Sequence, residues 1–303
     1  MPRLYLAVDI GKSKTLAALI QSDGTIIERK LIPTDLSAGG SRVISNAESL
    51  LGELSRTSPE RPSGIGVCTI GIVDPALGKI LKSSIPSLTG ENVKERFERR
   101  LGIPVCVDND LNCPGYGEYV FGLGRRSKAF VYFTISTGAG ISTIIDGNVW
   151  HGTHNLAGFI GNVDGITGKS GNQSFESAFS GSGIEESATK AFGTKLAAKD
   201  VFEMSRGNSE KASGALSIIN RAVMQAGTII ASIQMTIDPD MIVVGGSVAV
   251  NQPDFVARIK ADAEKRIGSG AVQLPNGINL VVSRLGQDNG ILGAMAMIKR
   301  DLE

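Results

Sequence analysis

Three apolar runs separated by short polar turns open the chain. LYLAVDIG, KTLAALIQ and TIIERKLIP, with a turn at Ser22, Asp23 and Gly24, predict a meander of strands. In SRVISNAESLLGEL the apolar positions Val43, Ile44, Ala47, Leu50 and Leu51 recur at helical spacing, with Ser41 as the expected N-cap. PSGIGVCTIGIVD returns to strand. ENVKERFERRLG predicts an amphipathic helix stopped by Gly102, and IPVCVDND a short strand ending in three polar residues.

After about residue 118 the pattern restarts. AFVYFTISTGAG, ISTIIDGN and a strand at Val149 predict a second meander with glycine turns, in which Thr137 to Gly140 takes the place held by Gly11 to Lys14. GALSIINRAVMQAGTIIASIQMTI predicts a long helix, and IDPDMIVVGGSVAV a buried strand broken at two glycines. GQDNGILGAMAMIKRDL predicts a terminal helix with Gly and Ala on one side. Strands alternating with helices imply an α/β architecture with covered sheets. Residues 153–182, rich in Gly, Asn and Ser, have no regular pattern, and irregular segments of that length are usually functional.

Composition narrows the class. A chain of 303 residues has length for about two lobes, and its 42% apolar and 20% charged residues can build ordinary cores. A net charge of +1 without a basic tail gives no sign of a nucleic-acid or membrane partner. Cys68, Cys106 and Cys113 lack metal-type spacing and suit a reducing compartment. No signal-type segment opens the sequence and no apolar run approaches ~18 residues, so the expected location is cytoplasmic.

Candidate chemistry gathers at strand ends. Three glycine turns follow apolar runs: residues 9–15, with Asp9, Gly11, Ser13, Lys14 and Thr15; residues 136–140, with Thr137, Gly138 and Gly140; and Gly245 and Gly246. Glycine lets backbone N–H groups approach a phosphate, and no GxxxxGK[ST] sequence is present, so the cradle would be of another kind. Asp9 suits water-mediated orientation of Mg²⁺, but taken alone it reads first as a turn cap. Asp108, Asn109 and Asp110 end a strand; a carboxylate there can accept a hydroxyl proton, or the cluster can cap the next helix.

These residues lie in segments that, in this order, resemble the ROK family (repressors, open reading frames, sugar kinases): DIGKSKT, GIVDPALG, NDLNCPGYGE, STGAGISTIIDG, LAGFIGN, GNQSFESAFSG, IDPDMIVVGGSV and LGQDNGILGA. The resemblance implies an actin/hexokinase-like (ribonuclease H-like) α/β fold of two lobes with the active site in the cleft between them. The lobes would be 1–118 plus 290–303, and 119–289. It implies ATP and Mg²⁺ as cofactors and a homodimer. It makes Asp110 the catalytic base and Asn109 a sugar ligand, with Gly71, Gly158, Glu176 and Asn162 also at the sugar. Residues 9–15 and 137–140 become the phosphate loops, and Gly245 and Gly246 the adenosine motif.

The sequence departs from the family at two places. Lys12 and Ser13 replace a glycine and a threonine of the first loop, and Lys12 is expected to face solvent. The family's ExGH sugar motif reads Phe159, Ile160, Gly161, Asn162 here, and the cysteine cluster after it is absent, so no structural zinc is expected. Phe159 suits stacking on an apolar sugar face or an acetyl methyl, or packing within its loop; His151 and His154 receive no role. The implied activity is ATP-dependent transfer to the 6-hydroxyl of a hexose. N-acetylmannosamine, of amino-sugar and sialic acid metabolism, comes first and glucose second. A sugar-responsive repressor is disfavoured, because Asp9 lies too near the start for DNA-binding helices. A degenerate sugar-binding protein is disfavoured by the retained Asp9, Asn109, Asp110 and phosphate loops.

Overall fold

A computed structural model describes residues 2–168, 171–268 and 274–303. The chain divides into two compact units. The first holds Met1–Arg125, His151–Leu156 and Leu285–Glu303; the second holds Arg126–Trp150 and Ala157–Arg284.

The first unit contains β1 (Leu4–Ile10), β2 (Lys14–Gln21), β3 (Ile26–Pro33), α1 (Gly40–Thr57), β4 (Ile65–Thr69), β5 (Ile72–Asp74), β6 (Lys79–Lys82), α2 (Val93–Leu101), β7 (Val105–Asn109) and α3 (Asn112–Val120). It closes with the C-terminal helix, Asn289–Leu302. Its main sheet runs β3-β2-β1-β4-β7, antiparallel through the first three strands and parallel through the last three. β1 is apolar on both faces because both are covered. Leu4, Leu6, Val8 and Ile10 pack with Val43, Ile44, Leu51 and Phe97 of α1 and α2. Tyr5 and Ala7, on the opposite face, pack with Ile291, Leu292, Met295 and Ile298 of the C-terminal helix. The expected small face of that helix is used for close approach: a side chain at Gly293 would run into the carbonyl oxygen of Cys113 in α3.

The start of α1 corrects the expected cap. Gly39, at φ 81°, precedes the helix without a side-chain bond, because Gly40 lies against the Ser87 backbone where a Cβ has no room. Ser41 lies within the helix, and its hydroxyl accepts from Arg96. At α2, Asn92 accepts from Glu95 N–H, and Gly102 closes the helix in the left-handed region.

The second unit contains β8 (Ala129–Ile135), β9 (Ala139–Ile145), β10 (Asn148–Val149), β11 (Asp164–Gly168), β12 (Gly171–Ser174), α4 (Phe175–Phe179), α5 (Gly181–Phe192), α6 (Ala198–Met204), α7 (Glu210–Ile237), β13 (Met241–Gly245), α8 (Ser247–Asn251), α9 (Pro253–Gly268) and β14 (Leu280–Val282). Its main sheet runs β10-β9-β8-β13-β14, again an antiparallel meander followed by parallel strands. The repeated pattern in the sequence is therefore a repeated sheet topology. The irregular segment contains a short β11–β12 hairpin that its composition did not predict.

α7 changes the hydropathy picture. Its 28 residues are long and apolar enough for a membrane span, although half of that stretch is buried inside the protein. Ala215, Ile219, Ala222, Ala226 and Ile230 belong to the core of the second unit, beside Val131, Phe133 and Ile259. Its outer side mixes the polar Asn220, Arg221 and Ser232 with the exposed apolar Leu216, Met224 and Met235.

Candidate active site

In the first unit, parallel register aligns the polar strand ends. Asp9 of β1 pairs with Cys68 of β4, which pairs with Asp108 of β7; one step on, Ile10, Thr69 and Asn109 form the next row. Two interstrand spacings of about 4.8 Å set Asp9 and Asp108 roughly 10 Å apart along the carboxyl edge. In open α/β sheets that edge is where ligands bind.

Asp9 is half-buried. Burial pushes its carboxyl up to about 6, against the lowering effects of a hydrogen bond from Cys68 and the charge of Lys14. The Cys113 hydrogen bond, burial and the charge of Asp9 push the Cys68 thiol up, so it remains a neutral donor. The following turn is closed by Gly11 N–H donating to the Lys14 carbonyl, 3.0 Å. A Cβ at Gly11 would lie 2.8 Å from that oxygen, which explains the glycine. Lys12 and Ser13 are exposed, and Lys14 Nζ donates to Gln287 Oε1 at 2.6 Å. Thr15 is turned inward, its hydroxyl 2.9 Å from that of Thr34, so its side chain braces the turn.

The end of β7 combines both readings of its polar cluster. Asn109 Oδ1 accepts from Leu111 N–H and Asn112 N–H at 3.0 and 2.8 Å, capping α3. Asp110 is exposed, and its N–H donates to the Thr69 carbonyl, 3.0 Å. Asp108 is buried and accepts from Asn109 N–H at 2.7 Å and Asn112 Nδ2 at 2.9 Å. Its second oxygen lies 2.6 Å from His151 Nε2. His151 has no role legible in the sequence, because a histidine in a glycine-containing loop has no periodicity to announce a partner 43 residues earlier. Gly71, just past β4 at φ 123°, lies against the Lys82 carbonyl.

In the second unit, the loop at Thr137 and Gly138 joins β8 to β9. Gly181 N–H donates to the Ser136 carbonyl at 2.7 Å and the Ser182 hydroxyl to the Thr137 carbonyl at 2.7 Å. With its carbonyls tied back, the loop can turn N–H groups outward, the arrangement an anion needs. One of them is engaged: Ala139 N–H donates to Glu176 Oε2 at 3.1 Å. Gly140 continues the loop into β9. β13 runs parallel to β8, so Gly245 lies beside Thr134, and Gly246, at φ 88°, against the Ile135 carbonyl. These ends border a cavity of about 540 Å³ lined by Ser136, Thr137, Gly181, Ser182, Glu185, Ala197, Ala198, Lys199, Phe202, Ser247, Val248, Asn251 and Gln252. The sequence motifs reached Thr137 and the glycines, but not its wall from α5 and α6. A cavity of about 550 Å³ in the first unit, near Glu48, Glu91 and Arg96, carries ion pairs within its own wall.

The sugar-motif residues lie beside the same loop. Gly158 O accepts from Ile141 N–H at 2.9 Å. Gly161 packs against Glu176, Phe159 is half-buried, and Asn162 and His154 are exposed. Zinc does not suit these residues, which supply an aromatic ring and an amide where ligands would be required. Among the described residues, no three of His, Cys, Asp and Glu stand together as a metal site; Lys169 and Ser170 of the altered cysteine stretch lie outside them. Mg²⁺ asks less of a protein, because it keeps waters and phosphate oxygens, and a single carboxylate such as Asp9 fits it.

The model of the ROK family matches residues 5–301. The chain belongs to the ROK family. Among curated ROK relatives, the glucokinase of Halalkalibacterium halodurans is 28% identical over 98% of this chain and 96% of its own. The N-acetylmannosamine kinase of Vibrio cholerae is 28% identical over 86% of this chain and 89% of its own. The ROK hexokinase structure from Thermus thermophilus has a TM-score of 0.84 at 24% identity, covering 99% of this chain and 100% of that one. The two sheets described above thus belong to the ROK hexokinase fold.

Proposed function

We propose that this ROK protein transfers the γ-phosphate of ATP to the 6-hydroxyl of N-acetylmannosamine, with Asp110 as the general base. The chain is an ATP-dependent sugar kinase of its family; the sugar is the finer point. The observation that carries the reading is the end of β7, where exposed Asp110 follows the buried amide of Asn109. Asn109 Oδ1 is taken by two backbone N–H groups, which leaves Nδ2 as the donor for a sugar hydroxyl.

In the proposed reaction the sugar hydroxyl gives its proton to the Asp110 carboxylate as its oxygen bonds to the γ-phosphorus. The bond to the bridging oxygen breaks and ADP leaves. Phosphoryl transfer needs positioning and charge stabilisation more than covalent chemistry. In the second unit, the N–H groups of the loop at Thr137, Gly138 and Gly140 would hold phosphate oxygens, and the 540 Å³ cavity would take the nucleoside. In the first unit, Gly11, Ser13 and Lys14 would supply further donors and charge, and Asp9 would orient Mg²⁺. That ion, when bound, neutralises phosphate charge.

Phe159 favours the N-acetyl sugar. It removes the carboxylate that would hold hydroxyls and offers a half-buried ring to a methyl group. Glucose is the second reading, favoured by the near full-length match to a glucokinase. Cys68, Cys106 and Cys113 are all free thiols, and ATP use with free thiols fits the cytoplasm. The test is ADP release across glucose, mannose, fructose, N-acetylglucosamine and N-acetylmannosamine. The proposal expects the highest kcat/KM for N-acetylmannosamine. A tenfold preference for glucose would replace the sugar, and no ADP release with any of them would remove the kinase reading.

A further inference from the structure

The side chain of Asp108 is only 3% exposed, and it serves three donors from three places. Oδ1 receives the Asn109 N–H and the Asn112 side-chain amide, while Oδ2 lies 2.6 Å from His151 Nε2. A carboxylate oxygen only accepts, so Nε2 carries the proton in this contact. Asn109 in turn holds the first N–H groups of α3, and the Asp110 N–H is held by Thr69. The peptide segment that aims Asp110 is therefore fixed on one side by β4 and on the other by Asp108. His151 is the partner of Asp108 that comes from outside this segment. It opens the stretch His151–Leu156, which belongs to the first unit although the chain before and after it belongs to the second.

We infer that His151 is a positioning residue for phosphoryl transfer, bracing Asp108 so that Asn109 and Asp110 keep the geometry the reaction requires. The inference rests on the kinase reading above. Removing the imidazole leaves a buried carboxylate oxygen without its donor, and the carboxylate turns to find another partner. That turn loosens the bonds of Oδ1 to the Asn109 N–H and the Asn112 amide. A displacement of about 1 Å at a reacting group costs on the order of 100-fold in rate. ATP is assigned to other residues, so the loss belongs to kcat and to the sugar.

The test compares the full-length protein with His151→Leu and His151→Gln, in turnover and in amide hydrogen exchange. His151→Leu is expected to lower kcat roughly 10- to 100-fold with KM for ATP within about twofold. It is also expected to speed exchange of the Asp110, Leu111 and Asn112 amides at least ~10-fold. His151→Gln, which keeps an N–H donor of similar reach, should recover most of both. Should His151→Leu fail to fold, His151→Asn replaces it, one methylene too short to reach Asp108, with the same ranking expected. Turnover of the apolar or short variant within twofold of wild type, unchanged exchange, or a glutamine variant as impaired as leucine would each overturn the inference. If wild type phosphorylates no sugar the kinase reading falls, and the bracing is still decided by exchange: unchanged amides refute it.

Discussion

Replacing Asp9 by Asn should make the ligand-free protein more stable at neutral pH and leave it unchanged in acid. Burial raises the Asp9 carboxyl from 3.8 to about 6 in the folded chain. A raised folded value means the native state holds the proton more tightly than the unfolded state does. The associated stability is complete below about 3.8, falls between 3.8 and about 6, and is absent above that. At ~1.36 kcal/mol per pH unit, this displacement corresponds to ~3 kcal/mol. Asp9 is half-buried, and solvent screening reduces the figure to about 1–2 kcal/mol. Asparagine has nearly the same shape, still accepts from Cys68, and carries no charge to desolvate. Urea unfolding of both proteins at pH 4 and pH 7.5 measures the difference. We expect the asparagine variant to gain about 1–2 kcal/mol at pH 7.5 and close to none at pH 4. A gain independent of pH, or an Asp9→Asn protein less stable than wild type at pH 7.5, would refute the burial argument. The same variant should bind MgATP more weakly, which would identify the cost of burying Asp9 as the cost of a functional charge.

Two further outcomes follow from packing. Gly293→Ala places a methyl group against the Cys113 carbonyl where the C-terminal helix meets α3, and should cost about 1–3 kcal/mol in urea unfolding. Ser247→Tyr puts a ring into the 540 Å³ cavity of the second unit; it should raise KM for ATP at least ~10-fold with little change in the sugar KM or in thermal stability.

Much of the fold was legible because periodicity reports burial directly. β1 reads as apolar on both faces because helices cover both faces, and Gly102 ends α2 as its left-handed backbone requires. The sequence marks candidate residues at the ends of β1 and β7, and parallel register through β4 brings Asp9 and Asp108 into one row. What stayed hidden were contacts between distant segments, which local pattern does not encode. The bond of His151 to Asp108 joins a glycine-containing loop to a strand end. Glu176 was expected at the sugar, and its carboxylate accepts from the Ala139 N–H at the start of β9. Thr15 was grouped with the phosphate ligands, and its hydroxyl faces Thr34. Ser41 looked like a cap because its residue type favours one, yet the close approach of Gly40 to Ser87 sets where α1 begins.

The most direct test of the central claim is turnover of the Asp110→Asn protein with ATP and its best sugar. Asp110 is exposed and its N–H bond to Thr69 survives the change, so the fold and nucleotide binding should be retained. Loss of the proton acceptor should lower kcat by roughly 10²- to 10⁴-fold with KM for ATP nearly unchanged. An Asp110→Asn protein that turns over within about twofold of wild type would contradict the assignment of Asp110 as the base.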